Sequence, residues 1–381
     1  MMNIKPYLKR AWAEISLSRI KKNIEIIKGL NSPGTEIMAV VKADAYGHGY
    51  ESICKCLSEE CGIKYFAVSN LDEAIAVREL CPKSEILILG YTPPEYSHEI
   101  SQYNIIQGVV SAEYAEALCK NSLYEIRCHV KVDTGMGRIG LRYDTPCECA
   151  DEIAEICKIS GLSVEGIYTH FSVADSDSPD NIAYTDAQER FITDTYDALV
   201  GKGIILPHLH FMNSAATCYR NSPRSTLSRA GIIIYGLHPD ISLKIPDGIE
   251  PVMEVKAVIS QVKTIEQGTC VSYGRTFSAD REMRIATVTV GYADGYSRQL
   301  SSKGEILVRG KRCKIVGRVC MDQLMIDVSD VPEAQSGDII TLIGRDDDDI
   351  ITADELASLY GTIGYEVVCG ISKRVPRIYI D

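Results

Sequence analysis

The tightest constraint on this chain is an alternation of two hydrophobic patterns. From about residue 13 to 240, short apolar runs alternate with amphipathic stretches. Eight runs read as strands: 37–41, 65–69, 86–89, 105–110, 126–132, 164–170, 208–213 and 232–236. They are apolar nearly throughout, which suits strands buried on both faces, as in a parallel sheet. Helical spacing fills the gaps. In SLSRIKKNIEIIKGL, Ile20, Ile24 and Ile27 share one face, with Ser18 as the expected N-cap. Eight strand–helix units over this length predict an α/β fold, a (β/α)8 TIM-like barrel, with an open doubly wound sheet as the alternative.

After IPDGIEP the pattern changes. VMEVKAVISQVKTI, RIATVTVGYA and EILVRGKRCKIVGRV alternate apolar and polar residues or carry tight Gly turns. This predicts mostly antiparallel β structure, interrupted by one helix at 353–360. The expected domains are a barrel over 13–245 and a C-terminal β domain over 246–381, with residues 1–12 as a candidate addition to the second. A length of 381 residues fits two domains better than one.

The net charge of −12 argues against nucleic acid or an anionic membrane as the main partner. It leaves room for an anionic cofactor, because backbone N–H groups hold a phosphate whatever the global charge. The start, MMNIKPYLKR, lacks a signal-peptide core, and no apolar run approaches the roughly 20 residues of a membrane helix. The 14 cysteines include no CxxC pair and read as free thiols of a cytoplasmic protein.

In a parallel barrel the chemistry lies at the C-terminal strand ends. The first strand runs straight into Lys42, in AVVKADAYGHG. A lysine aimed into the barrel mouth can form a Schiff base with an aldehyde cofactor, whereas an isolated lysine is usually a solvated surface group. Here other groups converge with it. Tyr46 follows at one helical turn, Lys131 and Arg138 follow the fifth strand in KVDTGMGRIG, and His170 ends the sixth. Ser214 follows the seventh, and Arg229 and Gly231 precede the eighth. Gly135–Gly140 also matches G-x-G-x-x-G, but a dinucleotide site would use the first βα unit, not the fifth. His208-x-His210 could present two imidazoles to a metal; no acidic ligand set accompanies them, so no metal is expected.

These motifs, with NSAA, RxGIxxYGL, VSYG, GYADG, VGRVCMDQ and the terminal RVPR, resemble the alanine racemase family in order and spacing, from about Trp12 onward. The resemblance implies a pyridoxal 5′-phosphate enzyme and a head-to-tail homodimer with shared active sites. It would interconvert L- and D-alanine and supply D-alanine for peptidoglycan. It implies that Lys42 carries the cofactor and serves the D face of the substrate. Tyr273 of the partner subunit serves the L face, activated by His170 and backed by Arg229. Arg229 would face the pyridine nitrogen and, always protonated, would leave it neutral and suppress transamination. The phosphate would sit on Tyr46, Ser214 and the backbone N–H groups of Gly231 and Ile232. Arg138 and the Met321 N–H would hold the substrate carboxylate, and Tyr292 and Asp322 would line the partner's entrance. Lys131 is a candidate for carbamylation. The chain departs from the family at Lys373, read as standing where a tyrosine usually precedes RVPR. Lys373 would then pair with phosphate and leave alanine as substrate, or open the pocket to serine. A non-catalytic cofactor-binding protein is the more distant alternative.

Overall fold

The computed structural model describes residues 10–381. The leaderless start expected from residues 1–9, and their share in the second domain, lie outside the described residues. Strand β1 (Ala11–Ser16) leads into the helix Leu17–Leu30. Ser16, not Ser18, caps that helix, its Oγ accepting from Arg19 N at 3.2 Å. The helix starts one residue before Ser18, whose Oγ pairs with that of Ser16 at 3.0 Å. Ile20, Ile24 and Ile27 are buried on one face.

Eight parallel strands follow. They are β2 (Glu36–Val40), β3 (Tyr65–Val68), β4 (Glu85–Ile88), β5 (Ile106–Val109), β6 (Ile126–Lys131), β7 (Leu162–Tyr168), β8 (His208–His210) and β9 (Leu227–Ala230). They pair in the order β8-β7-β6-β5-β4-β3-β2-β9. A parallel bridge between Met212 and Ser228 closes the ring. Arg229 N donates to Met212 O at 2.9 Å across the same seam.

The eighth strand is not the one expected. Residues 232–236 read as a strand because IIIYG is apolar. Ile232–Tyr235 instead forms a 3-10 turn with all four side chains buried. The true strand, LSRA, is short and carries a charge inward, so its pattern is hidden. The IIIY run is apolar because it packs beneath the first helix, where Asn23 Nδ2 donates to Ile234 O at 3.0 Å.

A nine-stranded, largely antiparallel sheet makes up the C-terminal part. Its spine is β10 (Met253–Ile265), whose first seven residues alternate between buried and half-buried. β10 pairs with Ile339–Asp346 through Val255–Val258 and with Met283–Val288 from Ile259 onward, the second ladder shifting register between Ile259 and Gln261. The first strand belongs to this sheet too. β1 pairs antiparallel with β10 at Ala13–Val255, and parallel with Arg377–Ile380 at Ala13–Arg377. The chain's last strand thus reaches the barrel mouth: Arg377 Nε donates to Gly47 O at 2.8 Å, and Tyr379 Oη to His48 O at 3.1 Å. No helix among the described residues is long and apolar enough to cross a membrane.

Candidate active site

Lys42 follows β2 directly and opens an unusual turn. Ala43, Asp44, Ala45 and Tyr46 all have φ between 52° and 56°, the left-handed region. Each such non-glycine residue costs roughly 1–2 kcal/mol, so the surroundings must hold the turn in place. His48 contributes from inside. Its Nδ1 lies 3.0 Å from Ala45 O and 2.9 Å from Tyr46 O, so that nitrogen carries the hydrogen and donates. The ring stacks on Tyr235 at 4.5 Å. Gly47, at φ 79°, lies where a Cβ would come within 2.3 Å of Val368 O. The Lys42 amine loses proton affinity through burial and the nearby Arg138 charge, against the pull of Glu73 and Cys369.

Two helix starts face this lysine across a cleft of about 510 Å³. Asn213 caps the helix Ser214–Tyr219, accepting from Ala216 N at 2.9 Å. Ser214 Oγ accepts from Gly231 N at 2.9 Å, at the head of the 3-10 turn that contains Ile232. A Cβ on Gly231 would stand 2.7 Å from Tyr46 Oη, so only glycine fits beside that phenol. Hydroxyls and backbone N–H groups at converging helix starts suit an anion such as phosphate.

Arg229 lies buried on β9, the strand beside β2. Its Nη2 donates to Thr169 O at 2.6 Å and makes a long contact of 3.5 Å with His170 Nδ1. Burial in this site pulls the guanidinium down to about 10, still charged at neutral pH. Burial and then the Arg229 charge push His170 well below its ordinary range, so its imidazole is neutral. Lys131, at the end of β6, donates to Val132 O at 3.0 Å and sits over the Tyr168 ring. Burial, then the Arg229 charge, lowers its amine to about 7. An amine that is partly neutral at physiological pH suits reaction with carbon dioxide.

Lys42, Tyr46, His170, Ser214, Arg229 and Gly231 all line the one cleft. Arg138 is exposed at its mouth, on a loop that Asp133 organises: Asp133 Oδ1 accepts from Gly135 N at 3.1 Å and Gly137 N at 3.0 Å. Those N–H groups, which a dinucleotide phosphate would need, are already taken. The remaining expected residues do not line this cleft. Tyr273 is 70% exposed, Tyr292 and Met321 are exposed, and Asp322 pairs with Arg374 at 2.8 Å. Tyr292 N donates to Cys320 O and Ala293 N to Met321 O, both at 3.0 Å, which holds the 3-10 turn of Tyr292 against the Met321 loop.

Lys373 corrects the expectation. It lines a separate recess with Asp44, Tyr50, Asp72 and Glu73, not the cleft that holds Ser214. The ring expected to be missing there is supplied by Tyr365, which lines the cleft with its centroid 6.2 Å from that of Tyr46. Nothing in TIGYEVV marks this tyrosine as a site residue; only the helix Gly364–Gly370, docking on the Lys42 turn, brings it there.

The known proteins that this chain resembles point the same way. Residues 15–239 match the alanine racemase N-terminal domain and residues 252–379 the alanine racemase C-terminal domain. The chain belongs to the alanine racemase family. The alanine racemase of Desulfovibrio desulfuricans is 43% identical, over 97% of this chain and 98% of that one. Alanine racemase 1 of Clostridium acetobutylicum is 41% identical, over 98% and 96%. The crystal structure of Bacillus anthracis alanine racemase with bound L-Ala-P superposes with a TM-score of 0.91 at 36% identity, covering 99% of this chain and 96% of that one. As a member of that family the chain is an amino-acid racemase, with an N-terminal barrel and a C-terminal β domain.

Proposed function

We propose that this racemase interconverts L- and D-alanine with pyridoxal 5′-phosphate held in the barrel cleft of a homodimer. The observation that carries the reading is the convergence of Lys42, Arg229 and His170 on one cleft, with an anion cradle beside them. The donor set fits the cofactor. Lys42 suits its aldehyde; Tyr46, Ser214 and the Ile232 N–H suit its phosphate, to which the Gly231 N–H would turn from the Ser214 Oγ that accepts it here. Arg229 Nε makes no hydrogen bond among the described residues while Nη1 and Nη2 are engaged, so it is free to meet the ring nitrogen. When bound, the cofactor supplies the electron sink that lets the α-proton leave.

The protein's own groups then divide the proton work. Lys42 Nζ takes or returns a proton on one face of the α-carbon. A second base must serve the other face, and we give that role to Tyr273 of the partner subunit, with His170 of the cleft as its relay. Tyr273 is exposed on the 3-10 turn Tyr273–Arg275, free to enter a partner's cleft. A phenol with a pKa near 10 is a weak base at pH 7. A neutral His170 placed to accept its proton would activate it. Arg229 donates and keeps its proton, which holds the imidazole in place and restrains side reactions. Arg138, with Met321 of the partner subunit, would orient the substrate carboxylate, and Tyr292 and Asp322 would border the partner's entrance. On this reading Lys131 is carbamylated, its new negative charge steadying Arg138. The product D-alanine feeds peptidoglycan synthesis, and the free thiols suit the cytoplasm.

The deciding experiment follows optical rotation of L-alanine and of D-alanine with the cofactor-loaded enzyme. Rotation should decay to zero from both sides. Stable rotation from either side would overturn the proposal.

A further inference from the structure

Glu73 lies in the first turn of the helix Leu71–Leu80, outside every group assigned above. Its carboxylate spans two backbone donors. Oε1 accepts from Ala43 N and Oε2 from Ser69 N, both at 2.8 Å. Ala43 starts the left-handed turn next to Lys42, and Ser69 follows β3. One carboxylate therefore ties the ends of the neighbouring strands β2 and β3. Glu73 is itself fixed, its own N–H donating to Asn70 Oδ1 at 3.0 Å. The far end of the turn is held separately, by Tyr50 N on Asp44 Oδ1 at 2.9 Å and by Arg377 and Tyr379 on the Gly47 and His48 carbonyls.

A plain helix-start acid would explain a glutamate here through the helix dipole. It accounts for the local bond to Ser69, one residue before the helix cap, but not for the second oxygen's bond to Ala43, thirty residues away. Two converging N–H groups call for an acceptor with two oxygens and no hydrogen, and only a carboxylate offers that. A glutamine would aim its NH₂ at one of them.

We propose that Glu73 is a positioning residue for Lys42, pinning the start of the strained turn and holding a negative charge beside the amine. The inference rests on the functional reading above. Lys42 is faced by Arg138 from the loop after β6, His170 from the end of β7, Cys369 from the helix Gly364–Gly370, and Tyr46 from its own turn. Asp44, Tyr50, Asp72 and Lys373 surround Glu73 on the recess side. Burial and Arg138 drive the proton off Lys42; Glu73 opposes them.

The test uses the cofactor-loaded enzyme and its Glu73→Gln and Glu73→Asp variants. The visible absorption of the bound cofactor and kcat are recorded against pH. Glu73→Gln loses the charge, so the midpoint of the spectral change should fall, and kcat should drop about tenfold to a hundredfold through misplacement. Glu73→Asp keeps the charge but cannot reach both N–H groups. Its midpoint should stay near the parent's while kcat still falls about tenfold. A role confined to helix capping would lower Tm in both variants and move neither midpoint, and that result overturns the proposal. If Glu73→Gln does not fold, Glu73→Asp decides: activity within about twofold of the parent overturns the proposal. A parent enzyme that binds no cofactor would sink the functional reading instead, whatever Glu73 does.

Discussion

Arg229 Nη1 donates to Nδ1 of His210 at 2.8 Å, and this bond fixes the tautomers of two buried histidines. Arginine only donates, so His210 Nδ1 must be bare and its hydrogen sits on Nε2. That hydrogen points at His129 Nδ1, 2.8 Å away, and places the His129 hydrogen on Nε2 in turn. Burial depresses both rings, His129 to about 3 and His210 well below its ordinary value. Nitrogen-15 shifts should therefore report Nε2–H imidazoles for both at pH 7 and still at pH 5. A titration near 6.5 in either ring would contradict the chain of donors.

Neutral buried histidines also set an acid limit on stability. His48 is lowered to about 4 and His129 to about 3, from an ordinary 6.5. Between those values the unfolded chain binds protons that the folded chain refuses. Stability is complete above about pH 6.5 and falls as the pH drops toward 4, each ring contributing up to about 1.4 kcal/mol per pH unit. Urea midpoints should fall between pH 7.5 and pH 5, and His48→Gln should flatten that slope. An unchanged slope in the variant would refute the assignment.

Arg229 also ties reaction fidelity to the same network. Arg229→Glu removes the donor from His210 and puts an acceptor opposite the cofactor ring. Racemisation should slow, and the share of turnovers ending as pyridoxamine phosphate should rise. The check is product partitioning during prolonged turnover of L-alanine; partitioning equal to the parent's would remove Arg229 from that role.

Lys42, not Lys131, should carry the cofactor. Both amines have reduced proton affinity, so chemistry alone does not separate them. Geometry does: Lys42 lines the cleft, while Lys131 is turned onto Val132 O and the Tyr168 ring. After borohydride reduction and digestion, the pyridoxyl group should appear on the peptide containing Lys42. Its recovery on Lys131 would reverse the assignment.

Tyr273→Phe should keep the cofactor spectrum and lower racemisation about 10²–10⁴-fold. Mixing Lys42→Ala chains with Tyr273→Phe chains tests where the phenol acts. Heterodimers that share sites recover one intact pair, so activity should rise on mixing. No recovery in a verified heterodimer would place Tyr273 outside the partner's site.

Much of this was legible because the pattern follows burial. Strands β2 to β8 sit inside both barrel faces and show as apolar runs, and the C-terminal sheet shows as alternation. The failures have physical causes as well. LSRA hides a barrel strand because its arginine is hydrogen-bonded by tertiary partners that no local pattern announces. ADAY gives no sign of a left-handed turn, since it has no glycine until position 47 and its restraints come from Glu73, Arg377 and Tyr379. Lys42, Tyr46, His170 and Ser214 could be picked out at strand ends, but Tyr365 could not, because its place depends on the helix Gly364–Gly370 docking on the Lys42 turn.

That docking bears on substrate choice. The reading of Lys373 as a lost ring supported a wider pocket that admits serine. The structure sets Lys373 behind the Lys42 turn and puts Tyr365 in the cleft instead, so the ring is not lost. The native enzyme should therefore favour alanine over serine, and Lys373→Tyr should change the ratio of kcat/KM for L-serine to L-alanine by less than about twofold. Tyr365→Ala should do what Lys373 was expected to do. Removing the phenol leaves room beside Tyr46 for a hydroxyl and its hydrogen bond, worth about 0.5–1.5 kcal/mol. The serine-to-alanine ratio should then rise roughly two- to tenfold, with lower absolute rates because Tyr46 loses a packing partner. If Lys373→Tyr suppresses serine turnover while Tyr365→Ala leaves the ratio alone, position 373 governs the pocket after all and the assignment to Tyr365 fails.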